Sequence, residues 1–511
     1  IAARAGGHDL PGWLSMALPK ALSLSTISFL GKFQDSGALA AYEKKVKAAA
    51  VAEKERAAGR IHVDDTRGGV DTAARNNLLM LTGGARNGAV YGGTDPRFKD
   101  EPVFLFEGAH NAIQGGKHTE YVDASGLKGN TSPDMVAQEK WIILVPEKND
   151  DEMKRGFFGT LQVLPILQNH ITATILGAQG ISGGGRENEG GCSINCYGCG
   201  DEAAIMLLMK AAAEAGQKNG YVYGRNLFLG LDNAADSNDM YNPETGLYKW
   251  QGRPRSGNEM VYRYVELFYR TGGNLLAFED PFAAPESQWQ FWGLLNERLG
   301  DKMLLIGDDI LCTNPTIAYR ALTQHAVNAG LVKLNQVGSF SQAWMYMELF
   351  HSAGRNTVMS HRSTQPDTPR DPMEITAALA ASYRPASRVI LGKLGGIYLA
   401  NRASLYYRGQ QAIEDWRAGR GVTDGMGPEV KIKTINVYPS PLGAGKYGLM
   451  AVMHLENGVV IESPIPGGLS RGESETRLLG PEAGAKVMKD VIEKLGLIGK
   501  PLGTIGNVFE I

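Results

Sequence analysis

Leu275-Leu276-Ala277-Phe278-Glu279, Met303-Leu304-Leu305-Ile306-Gly307-Asp308-Asp309, Leu331-Val332-Lys333 and Thr357-Val358-Met359-Ser360-His361-Arg362-Ser363 share one pattern. Each is a short apolar run that stops at a charged or polar group. Asp308 follows Glu279 by 29 residues, Lys333 follows Asp308 by 25, and His361 follows Lys333 by 28. A strand, a helix and two loops fill such spacings. Helix-like text lies between the runs, for example from Ile317 to Ala329. The repeat reads as consecutive βα units. In a (β/α) barrel the reactive groups sit where the strands finish, on one shared face. Glu279, Asp308, Lys333 and His361 are therefore expected to converge on one pocket.

The pattern extends both ways. Leu227 to Leu231 ends at Asp232, and Val389 to Gly392 ends at Lys393. Ile142 to Val145 is another apolar run, with Gln138-Glu139-Lys140 just ahead of it. Asp232, Glu279 and Asp308 on neighbouring strand ends would form an oxygen-rich cage, which hard divalent cations such as magnesium prefer. Two lysines facing that cage suggest proton abstraction. A cation and a second ammonium nearby disfavour the charged form, so the base lysine is expected to be poised low.

These residues resemble the signature segments of enolase. The segments are Phe278-Glu279-Asp280-Pro281-Phe282, Gly307-Asp308-Asp309 with Thr313-Asn314-Pro315, Lys333 to Gly338, and Ser360-His361-Arg362-Ser363. Their order matches, as does the separation from Asp308 to Arg362. The resemblance implies an α/β fold: an enolase-type (β/α)8 barrel with an α+β capping domain, here split between the two chain ends. On this reading residues 1–100 carry the helical half of the capping domain plus an insertion. Residues 101–425 form the catalytic barrel, and residues 426–511 form the sheet half of the capping domain.

Composition narrows the classes. At 511 residues the length prior suggests about three domains, but barrels run large. The net charge of −2 gives no sign of nucleic acid or an anionic membrane surface as partner. No run of about 18 apolar residues exists, so no membrane span is expected. Leu10 to Leu30 is broken by Pro11 and Pro19, unlike a leader. Four cysteines argue for a reducing, cytoplasmic setting rather than a disulfide framework.

In chain order, residues 1 to 60 read as helical, and residues 60 to 100 are polar and glycine-rich. Gly83 to Gly88 lacks the Lys-Ser/Thr ending of a phosphate loop and reads as a surface loop. Pro102 to Phe106 is expected to open the barrel. Gly115-Gly116-Lys117-His118 resembles the loop that brings a histidine to the site, though extra residues separate it from Gln138. A surface histidine is the alternative for His118. Asn188-Glu189-Gly190-Gly191 resembles the general-acid loop, with asparagine where the family usually has aspartate; glycines let the backbone aim a carboxylate inward. Cys192, Cys196 and Cys199 have a spacing that could hold a cluster or zinc, but free thiols in an expanded loop are the default. Asp201 to Gly216 reads as a helix. Tyr241 to Gly246 reads as a turn. The stretch between Arg362 and Lys393 is longer than the family pattern and stiffened by Pro366, Pro369 and Pro372.

Ordinary family members end soon after the segment that Gln410 to Trp416 resembles; this chain runs on to Ile511. Val430 to Lys433 and Ile435 to Tyr438 look strand-like. Leu449 to Leu455 and Val459 to Ile465 form a hairpin turning at Asn457-Gly458. Pro466 to Gly472 resembles the mobile serine loop, with Ser470 in the serine's place. A helix follows from Pro481 to Leu495, stopped by Gly496. This is the layout of the family's capping sheet, which normally comes first. A circular permutation explains it, since chain ends close on a surface tolerate such cuts. The rival is that the chain is part of a longer one, and its start at Ile1 is compatible with that.

The resemblance implies reversible dehydration of 2-phosphoglycerate to phosphoenolpyruvate. Asp232, Glu279 and Asp308 would hold one magnesium ion, and Ser470 would help hold a second. Lys333 would be the base, and Glu189 with Glu139 the acid side. His118, His361, Arg362, Ser363, Lys393 and Ser470 would bind substrate. The resemblance implies a homodimer; membership of a larger assembly is a further alternative. Another enolase-superfamily lyase, or a non-catalytic enolase-like structural protein, remains as an alternative.

Overall fold

The computed structural model describes residues 65–82, 103–112, 138–145, parts of 163–174, 181–188, 191–196, 201–236, 240–338, 340–353, 355–360, 362, 389–393, 429–441, 447–465, 472–477 and 479–501. Eight strands close a barrel: β1 (Val103–Ala112), β2 (Gln138–Leu144), β5 (Leu227–Asp232), β9 (Leu275–Glu279), β10 (Leu304–Gly307), β11 (Ala329–Val332), β12 (Asn356–Ser360) and β13 (Val389–Lys393). β13 pairs back onto β1, with Val103 opposite Val389 and Glu107 opposite Lys393. Fully apolar four- to six-residue runs are what strands covered on both faces require.

One strand departs from a uniform βα repeat. β2 runs antiparallel to both β1 and β5, while the other neighbouring barrel strands are parallel. The reversal puts the start of β2, not its end, at the mouth where the other strands finish. Glu139 thereby lies opposite Asp232. A second hairpin, β3 (Ile181–Asn188) with β4 (Gly191–Cys196), extends the sheet where β4 pairs with the end of β1.

Trp141, Ile143, Phe228, Leu304, Ile306, Leu331 and Val358 fill the barrel interior. Leu78 joins them from helix α1 (Asp65–Thr82). That helix falls in the stretch read as polar and glycine-rich. Among its described side chains, Ala74 and Leu78 are buried. It is tied to the barrel by Arg75 with Asp301 at 2.5 Å and by Tyr269 donating to Asp71 at 2.7 Å. Gly273, at φ +71 to +74 with its neighbour Gly272, leaves Val70 the room a Cβ would take.

A larger apolar layer packs the strands against α2 (Asp201–Lys218), α3 (Gly257–Arg270), α4 (Trp289–Leu299), α5 (Pro315–Thr323) and α6 (Phe340–Ser352). α3 starts at a capping box in which Ser256 and Glu259 satisfy each other's backbone N–H groups. α5 starts at Asn314 with Pro315 in its first turn. It ends at Thr323, short of Ala329, because Ala329 already belongs to β11. A small sheet of β6 (Tyr241–Asn242), β7 (Leu247–Trp250) and β8 (Arg253–Arg255) lies in the loop between β5 and α3.

Downstream lies a separate three-stranded antiparallel sheet: β14 (Ile432–Pro441), β15 (Tyr447–Leu455) and β16 (Val460–Ile465). The two strand-like pieces read between Val430 and Tyr438 are one strand, with a register shift between Ile432 and Thr434. β15 and β16 turn through Gly458 at φ +86, and helix α7 (Pro481–Lys494) is followed by Gly496 at φ +56. Among the described residues, no helix is long and apolar enough to cross a membrane.

Candidate active site at the barrel mouth

Six barrel strands, β5 and β9 to β13, each bring a charged group to the mouth at or just after their ends. Asp232 and Glu279 are opposite one another at the ends of β5 and β9. Asp308 follows β10, Lys333 follows β11, Arg362 follows β12, and Lys393 closes β13. Three acidic side chains meet around Lys393. Its Nζ lies 2.9 Å from Asp232 Oδ2, 3.0 Å from Glu279 Oε1 and 3.3 Å from Glu139 Oε2. Beneath it lies the ring of Trp141, with Nζ 4.7 Å from the centroid. Trp141 in turn donates to Glu139 Oε2 at 3.4 Å. Gly230 permits this floor: a Cβ there would sit 2.7 Å from Trp141 Cε3.

Across the mouth, Lys333 Nζ lies 2.6 Å from Asp308 Oδ2. Gln336 donates to the other oxygen of Asp308 at 3.3 Å. Thr313 donates to Gln336 at 2.8 Å and accepts from the backbone N–H of Lys333 at 3.0 Å. The loop carrying Asp308 is held by Asp280, whose two oxygens accept from the backbone N–H groups of Asp308 and Asp309 at 3.0 and 2.8 Å. Asp280 sits at φ 38, and Cys312 and Thr313 are also left-handed, at φ 48 and 52. Three such non-glycine residues near one mouth are uncommon, and strain of this kind gathers at functional sites.

The charges are strongly perturbed. Burial pushes the Glu279 carboxyl well above its usual range and Asp232 adds to the rise, against the pull of Lys393. Burial also raises Asp232, again opposed by Lys393. Burial works against ionised Asp308 too, but Lys333 outweighs it and holds this carboxyl below its ordinary value. Asp309 is pushed up to about 8 by burial and then by Asp308.

Lys333 departs from the expectation that it is poised low. Burial does press its pKa down, but the Asp308 carboxylate outweighs burial and raises it. The expectation weighed Lys393 and a bound cation, and the directly bonded Asp308 carboxylate acts in the opposite direction.

The donor set suits a hard cation. Asp232, Glu279 and Asp308 offer only oxygen, as magnesium prefers. Glu279 Oε2 is buried without a hydrogen-bond partner, so it retains a lone pair to offer. Asp280, Asp308 and Asp309 also bring one oxygen each within 4.8 Å of one another. Both Asp280 oxygens already accept backbone N–H groups, so its evident work is to shape the loop.

Arg362 is buried and pairs with buried Glu475, which arrives from the C-terminal segment. Sequence reasoning did not single out Glu475, and reached Asp280 and Gln336 only as parts of motifs. Their work is hydrogen bonding across long separations, which leaves no periodic mark. His118, Glu189, His361, Ser363 and Ser470 lie outside the described residues, as do Cys199 and the side chains of Cys192 and Cys196. The strands that flank Glu189 pair with each other, Asn188 opposite Gly191. Cys312 is a buried free thiol, pushed up by burial.

The closed α/β barrel fits an enolase-type fold, and residues 160–379 match the family described as "Enolase, C-terminal TIM barrel domain". Over 200 residues the chain is 34% identical to the protein named "Enolase" from Bifidobacterium longum (strain DJO10A), covering 39% of this chain and 43% of that one. The same figures hold for the "Enolase" of Bifidobacterium longum subsp. infantis. The chain thus spans less than half the length of the curated relatives it matches.

Proposed function

We propose that the protein is a phosphopyruvate hydratase, interconverting 2-phosphoglycerate and phosphoenolpyruvate. The observation that carries this reading is the pairing of an acidic group, Asp232, Glu279 and Asp308, with two lysines on opposite sides of one barrel mouth. The α-proton of a carboxylate is very weakly acidic, and removing it leaves two negative charges on adjoining oxygens. Asp232, Glu279 and Asp308 would hold one magnesium ion and Ser470 would help hold a second, and the ions would supply the positive charge that such a product needs. Lys333, once its proton is shed, takes the proton from C2. Glu189, with Glu139 beside it, gives a proton to the leaving hydroxide at C3. Arg362 and Ser363 grip the phosphate, because a planar guanidinium suits tetrahedral oxyanions. His118, His361 and Lys393 bind the substrate's polar groups, Lys393 and His361 at the carboxylate end.

The reading includes a capping domain split between the chain ends, with its sheet half in β14 to β16 and α7. The antiparallel order of these strands and the following helix support it. A cytoplasmic homodimer goes with the reading. The test is the ultraviolet absorbance of the enol phosphate on mixing purified protein with 2-phosphoglycerate. Absorbance should rise with magnesium and stop on chelation. A flat trace with magnesium present removes this reading.

A further inference from the structure

The short stretch Gly472 to Thr476 touches the loops or ends of three consecutive barrel strands. Gly472 lies so close to the loop after β10 that a Cβ would sit 2.3 Å from Cys312 Sγ and 3.1 Å from Asp309 O. Glu475 N donates to Gly472 O at 3.1 Å, which folds the stretch into a turn. Thr476 N donates to Gln336 O in the loop after β11 at 3.0 Å. Gly338, at φ +88, gives Thr476 the space that a Cβ would occupy, 2.8 Å from its Oγ1. At the end of β12, Glu475 Oε1 accepts from Arg362 Nη2.

Arg362 and Glu475 are nearly solvent-free, with side chains 1% and 3% exposed. An ion pair so enclosed loses most of its solvation, and removing one partner leaves a stranded charge. It therefore acts on orientation more than on net stability. An arginine side chain has many rotamers. A bonded carboxylate restricts the plane of the guanidinium and so the direction of its donors. Glu475 Oε2 has no hydrogen-bond partner, so the carboxylate is not otherwise occupied in shaping its own turn.

We propose that Glu475 is a positioning residue for Arg362: carried on the C-terminal segment, it fixes the guanidinium at the barrel mouth so that the phosphate subsite is complete only when that segment is docked. The inference rests on the reading of Arg362 as the phosphate-binding arginine. It goes beyond that reading by making the anion site a joint product of the barrel and the chain that follows it.

The test uses the full chain with Glu475→Gln, Glu475→Asp and Glu475→Ala. Two quantities are followed: steady-state turnover of 2-phosphoglycerate, and calorimetric binding of inorganic phosphate in magnesium. In Glu475→Ala, KM for 2-phosphoglycerate and Kd for phosphate should rise together by roughly tenfold or more. The change in kcat should be smaller, and Glu475→Asp should restore part of the loss. Glu475→Gln keeps a hydrogen bond and guards against misfolding, and should fall between. Normal turnover with unchanged KM and Kd in all three variants overturns the inference and leaves the proposed function standing. No turnover by wild type, with phosphate binding still weakened by Glu475→Ala, removes the proposed function and keeps the positioning role. A wild type that neither turns over substrate nor binds phosphate removes both.

Discussion

Asp309 shows how the mouth stores unfavourable charge. Its carboxyl is lifted from 3.8 to about 8 by burial and by Asp308. An acid whose folded pKa exceeds its unfolded one destabilises the fold as it ionises. Its contribution is most favourable below the unfolded value, and stability falls as pH rises towards the folded value. Chelator-treated protein should therefore lose melting temperature between about pH 5 and about pH 8, and Asp309→Asn should flatten that slope. Thermal melts of both proteins across the range check this; parallel slopes contradict it. At this scale, the residues legible in the sequence were those that terminate an apolar run: Asp232, Glu279, Asp308, Lys333 and Lys393. Asp280, Gln336 and Glu475 were not, because each earns its place by reaching groups distant in the chain.

At the level of elements, the reversed strand β2 explains how Glu139 joins the site although it precedes its apolar run. Sequence spacing revealed the run and its acid, but strand direction depends on pairing, which alternation does not encode. The hairpin at Gly458 was legible because a left-handed turn demands a specific residue type. The β2 and β5 pair also makes a sharp prediction. Gly230→Ala drives a methyl against Trp141, the floor beneath Lys393 and the donor to Glu139. Overpacking there should cost about 1–3 kcal/mol of stability and lower turnover together. Denaturant melts and initial rates measure both. Full stability with full activity means that Trp141 is free to move and does not order the site.

For the whole molecule, the barrel supplies a ring of groups and the C-terminal segment supplies a cover. The segment reaches Asp308 indirectly, because Thr476 bonds Gln336 and Gln336 bonds Asp308. The strand-sized runs were readable from their recurrence, but closure into a barrel came from the enolase resemblance, since open sheets also hold eight strands. The docking of residues 472–476 was not readable, since it rests on backbone hydrogen bonds and glycine contacts that no side-chain pattern announces. The chemistry assigned to this assembly comes down to one proton leaving C2 of the substrate for Lys333. Exchange of that proton with solvent deuterium, followed by NMR on 2-phosphoglycerate in magnesium, observes the step directly. Wild-type protein should exchange it, and Lys333→Ala should be slower by roughly a hundredfold or more. Equal exchange in the two proteins, or none in the wild type, contradicts a lysine base at this barrel mouth.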